Sequence, residues 1–199
     1  LAQNALDAAT WCRDYLGVRF IEDNLFWFGG HSRKRALIPV GHTGTEYITK
    51  FQSKADELGI PVITNMKAEE LIKDASGRVV GVKASMQGST YTFNAKGGVV
   101  LATGGFGANA KMVKKYNASI DERFKSTDAP GATGEALYMA ERAGAQLVNM
   151  QYIQTYPIGD PLSGAIELIA DSRFDGAIMI KQEGKRCVEE LDRREVLSH

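Results

Sequence analysis

The chain has 199 residues, and its 24 basic side chains balance 24 acidic ones, so the formal net charge is zero. This length predicts one domain, or one domain and part of a second. A neutral chain lacks the basic excess with which nucleic-acid-binding domains neutralise phosphates, and no run of about 18 apolar residues is present to span a membrane. Two cysteines are too few for a disulfide framework. Glycine is over-represented, with 21 residues where an average composition would supply about 14.

The beginning of the chain predicts two helices that each end at a glycine. Residues 2–16 carry apolar side chains at helical spacing, and Gly17 follows them as a residue suited to the left-handed conformation of a helix end. Residues 47–58 repeat the pattern before Gly59, and Thr45 is a candidate N-cap for this second helix. Both stops are local signals that depend on the missing glycine side chain.

Short runs rich in β-forming residues predict strands. They cover residues 19–28, 61–64, 68–73, 79–86 and 90–93. The last four are separated by turn signals, so they predict an antiparallel β-meander. A further hairpin is predicted near the end of the chain, where residues 177–180 and 186–188 flank a turn that contains Gly184.

Residues 99–105, Val-Val-Leu-Ala-Thr-Gly-Gly, are a continuous apolar run that ends in two glycines. A run that is apolar on both faces predicts a strand inside a covered, largely parallel sheet. A glycine turn after it lets the backbone approach a flat or anionic ligand without a Cβ atom in the way. The alternative is a tight strand-to-helix turn with no ligand. The phosphate-binding spacing Gly-x-Gly-x-x-Gly is absent from the chain.

Two further helices are predicted at residues 108–116 and 134–143. The second follows a loop that contains Gly131 and Gly134, and Glu135 stands in its first turn. An acid there complements the helix dipole. The alternative is that Glu135 and the backbone N–H groups of the loop face a cofactor.

Together these segments resemble the soluble fumarate-reductase flavoproteins. The resemblance is carried by residues 102–109, 129–135, 149–154, 173–178, 184–186 and 190–195. It implies an α/β fold: part of a Rossmann-like FAD-binding domain with a β-meander over residues 1–149, and the start of an α+β clamp domain over residues 150–199. The implied cofactor is FAD, with FMN as a second flavin on a separate domain outside this chain.

The resemblance also implies that the chain is the middle of a larger flavoenzyme. In that family the Gly-x-Gly-x-x-Gly loop precedes the matching segments, and a substrate-binding histidine and arginine follow them. We therefore expect these 199 residues by themselves to be inactive and to hold FAD poorly. The implied cofactor contacts within the chain are Ala68, Thr103, Gly104, Gly105 and Glu135.

Flavoproteins of this family reduce an activated alkene next to a carboxylate. Hydride leaves N5 of the reduced flavin for one alkene carbon, and an arginine of the clamp domain protonates the other; the matching residue is Arg194. From the residues alone, Arg193 and Arg194 also fit a solvated run of charges. Arg173 matches an arginine of the family's proton relay, and because Ala170 replaces the relay glutamate, its link to Arg194 must run through another group or water.

The substrate-binding positions depart from the fumarate pattern. Tyr156 stands where fumarate reducers have a histidine before proline, and Ile169 and Ala170 replace a Thr-Glu pair that precedes Asp171. A tyrosine can stack on a planar heteroaromatic ring, and an aspartate accepts an N–H bond and favours a cation such as imidazolium. This combination resembles the urocanate reductases of the family, which convert urocanate to imidazole propionate.

Several alternatives remain open at this point. The substrate is fumarate or another 2-enoate, or the chain is a non-catalytic binding piece; Tyr156 is a packed loop aromatic, or Asp171 pairs only with Arg173. The expected partners are a small enoate and an electron-donor protein or domain, with no nucleic acid. Family resemblance implies a periplasmic location, and a cytoplasmic one is the alternative. No metal site is expected, because His31 and His42 lack the spacing of metal ligands.

Overall fold

A computed structural model describes residues 2–21, 25–26, 32–121, 123–160, 162 and 168–198, with the backbone alone at residues 168–171 and 195. The chain divides into two compact units. The first contains residues 1–64 and 171–193, and the second contains residues 65–170 and 194–199. The boundary near residue 149 between an FAD-binding and a clamp domain stays a prediction.

The first unit begins with both predicted helices. A 3-10 turn at Ala2–Asn4 leads into α1 (Ala5–Asp14), and α2 covers Thr45–Glu57. Gly17 and Gly59 have φ angles of +73° and +65°, which confirms that a left-handed glycine follows each helix. The N-cap prediction for Thr45 is wrong: Gly44 precedes the helix, and Thr45 is already its first residue. The amide of Thr45 is instead satisfied by the hydroxyl of Thr43.

The chain after α1 supplies the small core of this unit. Leu16, Val18 and Phe20 are buried together, and Tyr47 of α2 packs against them. The predicted extended run at residues 19–28 forms two isolated bridges, Phe20 to Pro39 and Phe26 to Ala36, with residues 22–24 and 27–28 outside the described part. The described residues of the run are therefore held to residues 35–40 by these bridges and by backbone hydrogen bonds such as Ile21 N–H to the Ile38 carbonyl and Val40 N–H to the Arg19 carbonyl.

The second unit contains the predicted meander. Strands β1 (Lys67–Lys73), β2 (Val79–Met86) and β3 (Ser89–Asn94) pair antiparallel in chain order. Gln87 and Gly88 form the β2–β3 turn with φ angles of +50° and +81°, the left-handed pair that a two-residue hairpin requires. The predicted strand at residues 61–64 is wrong. Pro61 donates no hydrogen bond, and Val62 and Ile63 are about half exposed.

The strand prediction for residues 99–105 is also not met, since this run pairs with none of the described strands. The side chain of Val100 is 89% exposed. An apolar run becomes a strand only where a neighbouring strand supplies hydrogen-bond partners. The predicted hairpin near residue 182 is present in a short form: Ile180 and Arg186 make an antiparallel bridge, and the Cys187 amide donates to the Met179 carbonyl at 3.1 Å.

Two helices follow the glycine-rich run. Asn109 caps α3 (Ala110–Tyr116): its Oδ1 accepts from the Met112 amide at 3.0 Å, and its Nδ2 donates to the Thr133 carbonyl at 2.8 Å. The loop that ends at Thr133 leads through Gly134 into α4 (Glu135–Arg142). One side chain thus joins the start of α3 to the loop before α4.

The remaining elements are short. A 3-10 helix covers Leu168–Asp175, and α5 covers Arg194–Leu197. Among the described residues, no helix is long and apolar enough to cross a membrane.

Gly134 is a position where only glycine fits. Its φ angle is +74°, and a Cβ atom would lie 2.5 Å from Met112 Sδ and 2.7 Å from Phe106 Cβ. We expect Gly134→Ala to lower the free energy of unfolding by about 2 kcal/mol through backbone strain and crowding. Urea unfolding of the full-length protein measures this change. Gly131→Ala is the matched control, because a Cβ there meets open space at an ordinary φ angle; equal losses in both variants would contradict the prediction.

Candidate active site

The glycine loop after the apolar run (residues 103–106, the glycine loop hereafter) presents free hydrogen-bond donors. Gly104 is left-handed at φ +75°, and a Cβ atom at Gly104 or Gly105 would meet open space. Within the described part of the chain, the backbone N–H groups of Thr103, Gly104, Gly105 and Phe106 donate to no other group. An exposed row of unpaired amides next to a bare backbone can hold a polar or anionic ligand.

The other predicted cofactor contacts lie close to this loop. Phe106 crowds the Cβ position of Gly134, which directly precedes Glu135 at the start of α4. Glu135 Oε1 in turn pairs with Lys67 Nζ at 3.1 Å, and Lys67 precedes Ala68 on β1. Both partners of this ion pair are more than half exposed, so the pair contributes little to folding. The structure therefore groups Ala68, Glu135 and the glycine loop within one unit.

A cleft of about 1020 Å³ opens beside the glycine loop. We call it the glycine-loop cleft. Gly105 and Phe106 contribute to one part of its wall, and Gln154 and Tyr156 contribute to another. A cleft of this size is in the range of small-molecule and cofactor sites, and it brings one predicted cofactor contact and one predicted substrate contact into the same space.

Arg194 lies against two residues that line this cleft. Its Nη1 donates to Gln154 Oε1 at 2.9 Å, and its guanidinium carbon is 5.1 Å from the centre of the Tyr156 ring. Its own carbonyl accepts hydrogen bonds from the Ser198 amide and hydroxyl, which close the turn of α5. Arg194 is half-buried, whereas Arg193 is exposed. The two arginines are therefore not equivalent members of a solvated run of charges.

Arg173 occupies a different setting in the other unit. It is 5% exposed, its Nη1 donates to the Glu190 carbonyl at 3.0 Å, and its guanidinium stacks on Phe174. Its Nε is buried without a hydrogen-bond partner among the described residues. Asp171 lies in the 3-10 helix, and its side chain is outside the described part. The structure brings Arg194 and Tyr156 together and leaves the relation of Asp171 and Arg173 to them as a prediction.

A family model described as "FAD binding domain" matches residues 1–199, the whole chain. The chain belongs to this family. FAD is accordingly its cofactor, and the residues present fit that group: the unpaired amides and the bare backbone of the glycine loop leave room for a flat, anionic ligand.

Individual relatives of this chain include urocanate and fumarate reductases. A urocanate reductase of Eggerthella lenta is 46% identical over 100% of this chain and 33% of its own length. A fumarate reductase (cytochrome) of Shewanella frigidimarina is 36% identical over 85% of this chain and 30% of its own length. A flavocytochrome c3 fumarate reductase solved in an open conformation matches with a TM-score of 0.80 at 29% identity, over 98% of this chain and 34% of that chain. The chain thus spans about a third of the length of these relatives.

These matches confirm the predicted resemblance and fold class. The FAD-binding chain has the fold of the fumarate-reductase flavoproteins, with mixed helices and strands and an antiparallel meander. In the described part of the chain, no three His, Cys, Asp or Glu side chains are arranged to hold a metal ion; His31 lies outside that part.

The sequence patterns assigned no role to two residues of interest, Gln154 and Glu190. Gln154 was part of a matching segment without a role, and its partner Arg194 is forty residues away, which no local signal reveals. Glu190 is 3% exposed and accepts from Arg186 Nε at 3.0 Å and from the Met179 amide at 2.7 Å. The four-residue spacing of Arg186 and Glu190 was a signal that could have indicated this pair.

The Arg186 guanidinium, followed by the Met179 amide, lowers the pKa of the Glu190 carboxyl from its usual 4.5 to about 2. A lowered pKa in the folded state stabilises the protein above pH 4.5, and this contribution is lost as the pH falls toward about 2. We therefore expect Glu190→Gln to be less stable than the parent at pH 7 and to lose less stability between pH 4.5 and 2. Urea midpoints measured across this range test the prediction. Glu189→Gln is the control, because Glu189 is exposed; parallel pH curves for parent and Glu190→Gln would contradict it.

Proposed function

We propose that this protein is an FAD-dependent oxidoreductase that reduces the side-chain double bond of urocanate to give imidazole propionate. The observation that carries the proposal is the placement of Arg194 against Tyr156 and Gln154, both of which line the cleft beside the glycine loop. It supports the proposal because the proposed proton donor lies next to the proposed aromatic substrate contact, in the unit that contains the predicted FAD contacts.

The cofactor contacts and Arg194 have separate roles in this proposal. The glycine loop, Ala68 and Glu135 hold FAD, through the loop amides and the exposed start of α4. When bound, FAD supplies the hydride that adds to one alkene carbon. Arg194 delivers a proton to the other carbon, and the proton is then replaced from solvent. An arginine is a weak acid, with a pKa above about 12, so it must be held where negative charge develops on the substrate carbon.

The choice of substrate depends on Tyr156 and Asp171. A phenol ring can stack on imidazole, and a carboxylate accepts an N–H bond from it and favours its protonated form. The histidine of fumarate reducers, a second anion-binding group, is replaced here by Tyr156. The 46% identity to a urocanate reductase over the whole chain supports the same choice. Fumarate, the substrate named for two other relatives, is the second candidate.

The remaining roles follow from this activity. An electron-donor protein or domain must reduce the flavin before each turnover, since the reaction consumes two electrons. Arg173 joins a proton relay to Arg194 only through another group or water, because Ala170 cannot carry a proton. We place the start of the clamp domain near residue 150 and the protein in the periplasm, both by family resemblance.

The test is an assay of the full-length, FAD-loaded protein with a reduced viologen dye as electron donor. Dye oxidation is followed with urocanate and, separately, with fumarate, and imidazole propionate is identified by mass spectrometry. We expect urocanate to be turned over with the higher kcat/KM. Faster turnover of fumarate would overturn the substrate assignment, and no turnover of any enoate would favour the non-catalytic binding role.

A further inference from the structure

Gln154 forms a side-chain hydrogen bond with the guanidinium of Arg194. Its Oε1 accepts from Nη1 at 2.9 Å, a hydrogen bond that lies in the guanidinium plane. The Tyr156 ring lies 5.1 Å from the guanidinium carbon, within the range of a cation–π contact. The guanidinium is thus held by one in-plane hydrogen bond and one aromatic contact.

The chemistry of the acceptor matters as well as its position. A carboxylate at this place would form a charge-assisted bond and stabilise the guanidinium cation, which weakens it further as an acid. The amide of Gln154 is neutral, so it orients the guanidinium without that penalty. Gln154 also lines the glycine-loop cleft, so its hydrogen bond to Arg194 lies at the edge of the proposed substrate-binding space.

We infer that Gln154 is a positioning residue for proton transfer: through a neutral hydrogen bond it holds the Arg194 guanidinium beside the glycine-loop cleft, which Gln154 and Tyr156 line. The inference rests on the proposed role of Arg194 as proton donor, and it holds for any enoate that Arg194 protonates. It is independent of whether the substrate is urocanate or fumarate.

The test uses two substitutions of Gln154 in the full-length, FAD-loaded protein. Gln154→Met keeps the length of the side chain and removes the acceptor, and Gln154→Glu keeps the shape and adds a charge. We expect Gln154→Met to lower kcat about 10-fold or more with KM changed less than about 3-fold, because a misdirected catalytic group costs rate rather than binding. We expect Gln154→Glu to lower kcat as well, and both variants to show a larger solvent deuterium isotope effect on kcat. Reduction of the bound flavin by the dye should be unchanged.

Gln151→Met is the matched control, since Gln151 is exposed on the same segment and does not line the cleft. A second control is the double variant with Arg194→Ala, in which removal of Gln154 should cause no further loss because the two residues act as one unit. Equal loss in Gln151→Met and Gln154→Met, a rise in KM at unchanged kcat, or additive losses in the double variant would overturn the inference. If Arg194→Ala itself retained full turnover, the proposed proton donor would be wrong and the inference would fall with it. If only Gln154→Met retained full turnover, the inference alone would be wrong.

Discussion

Arg194→Ala is expected to lower enoate turnover by about 10³-fold, within the range that a positioned general acid contributes. Alanine removes the proposed donor that lies over the Tyr156 ring. The measurement is kcat with reduced dye and urocanate. Reduction of the bound flavin by the dye alone should keep its rate, because it requires no proton from Arg194.

The neighbouring arginine provides the control. Arg193 is exposed, whereas Arg194 is half-buried, and Arg193→Ala removes the same charge one residue away. We expect kcat of the Arg193 variant within about 3-fold of the parent, as for a surface substitution. A comparable loss in both variants would indicate a general effect of charge in this segment and would contradict the assignment of the proton donor to Arg194.

Asp171→Ala is expected to change the choice of substrate. The proposed bond from the imidazole N–H to the Asp171 carboxylate involves a charged group, and such bonds contribute about 1.5–3 kcal/mol, which corresponds to roughly 10- to 150-fold in kcat/KM for urocanate. An enoate without the ring, such as acrylate, makes no such bond and should lose less than about 3-fold. The measured quantity is therefore the ratio of the two kcat/KM values.

Asp175→Asn is a matched control for this experiment, because Asp175 is exposed at the end of the same 3-10 helix. It should leave the ratio unchanged. An equal loss for urocanate and acrylate in the Asp171 variant would point to a structural role. An unchanged ratio would rule out recognition of the ring by this carboxylate.

The parts of the fold that the sequence predicted well depend on local signals. Gly17, Gly59 and the pair Gln87-Gly88 take left-handed conformations whose residue preferences are set by sterics within a few residues. The strand predicted at residues 99–105 is not formed, because a strand requires a partner strand. The sequence of the run does not indicate whether such a partner is present. Composition gave the same β signal to residues 61–64, which likewise pair with none of the described strands.

The candidate site likewise has features that the sequence indicates and features that only the folded chain shows. Family resemblance pointed to Arg194 and Tyr156, and the structure adds that they are in contact. The partnership of Gln154 with Arg194 joins positions forty residues apart and requires the folded chain. Composition alone could not separate Arg194 from Arg193, since burial distinguishes the two and their side-chain chemistry does not.

The side chain of Asn109 has a consequence for flavin binding. Its carbonyl oxygen accepts from the Met112 amide and its amide nitrogen donates to the Thr133 carbonyl, so the helix that follows the glycine loop is joined to the loop before α4 by protein contacts. The crowding of Phe106 against Gly134 adds a second such connection. These contacts fix the C-terminal end of the glycine loop to the start of α4, so less chain entropy is lost at that end of the loop when a flavin binds.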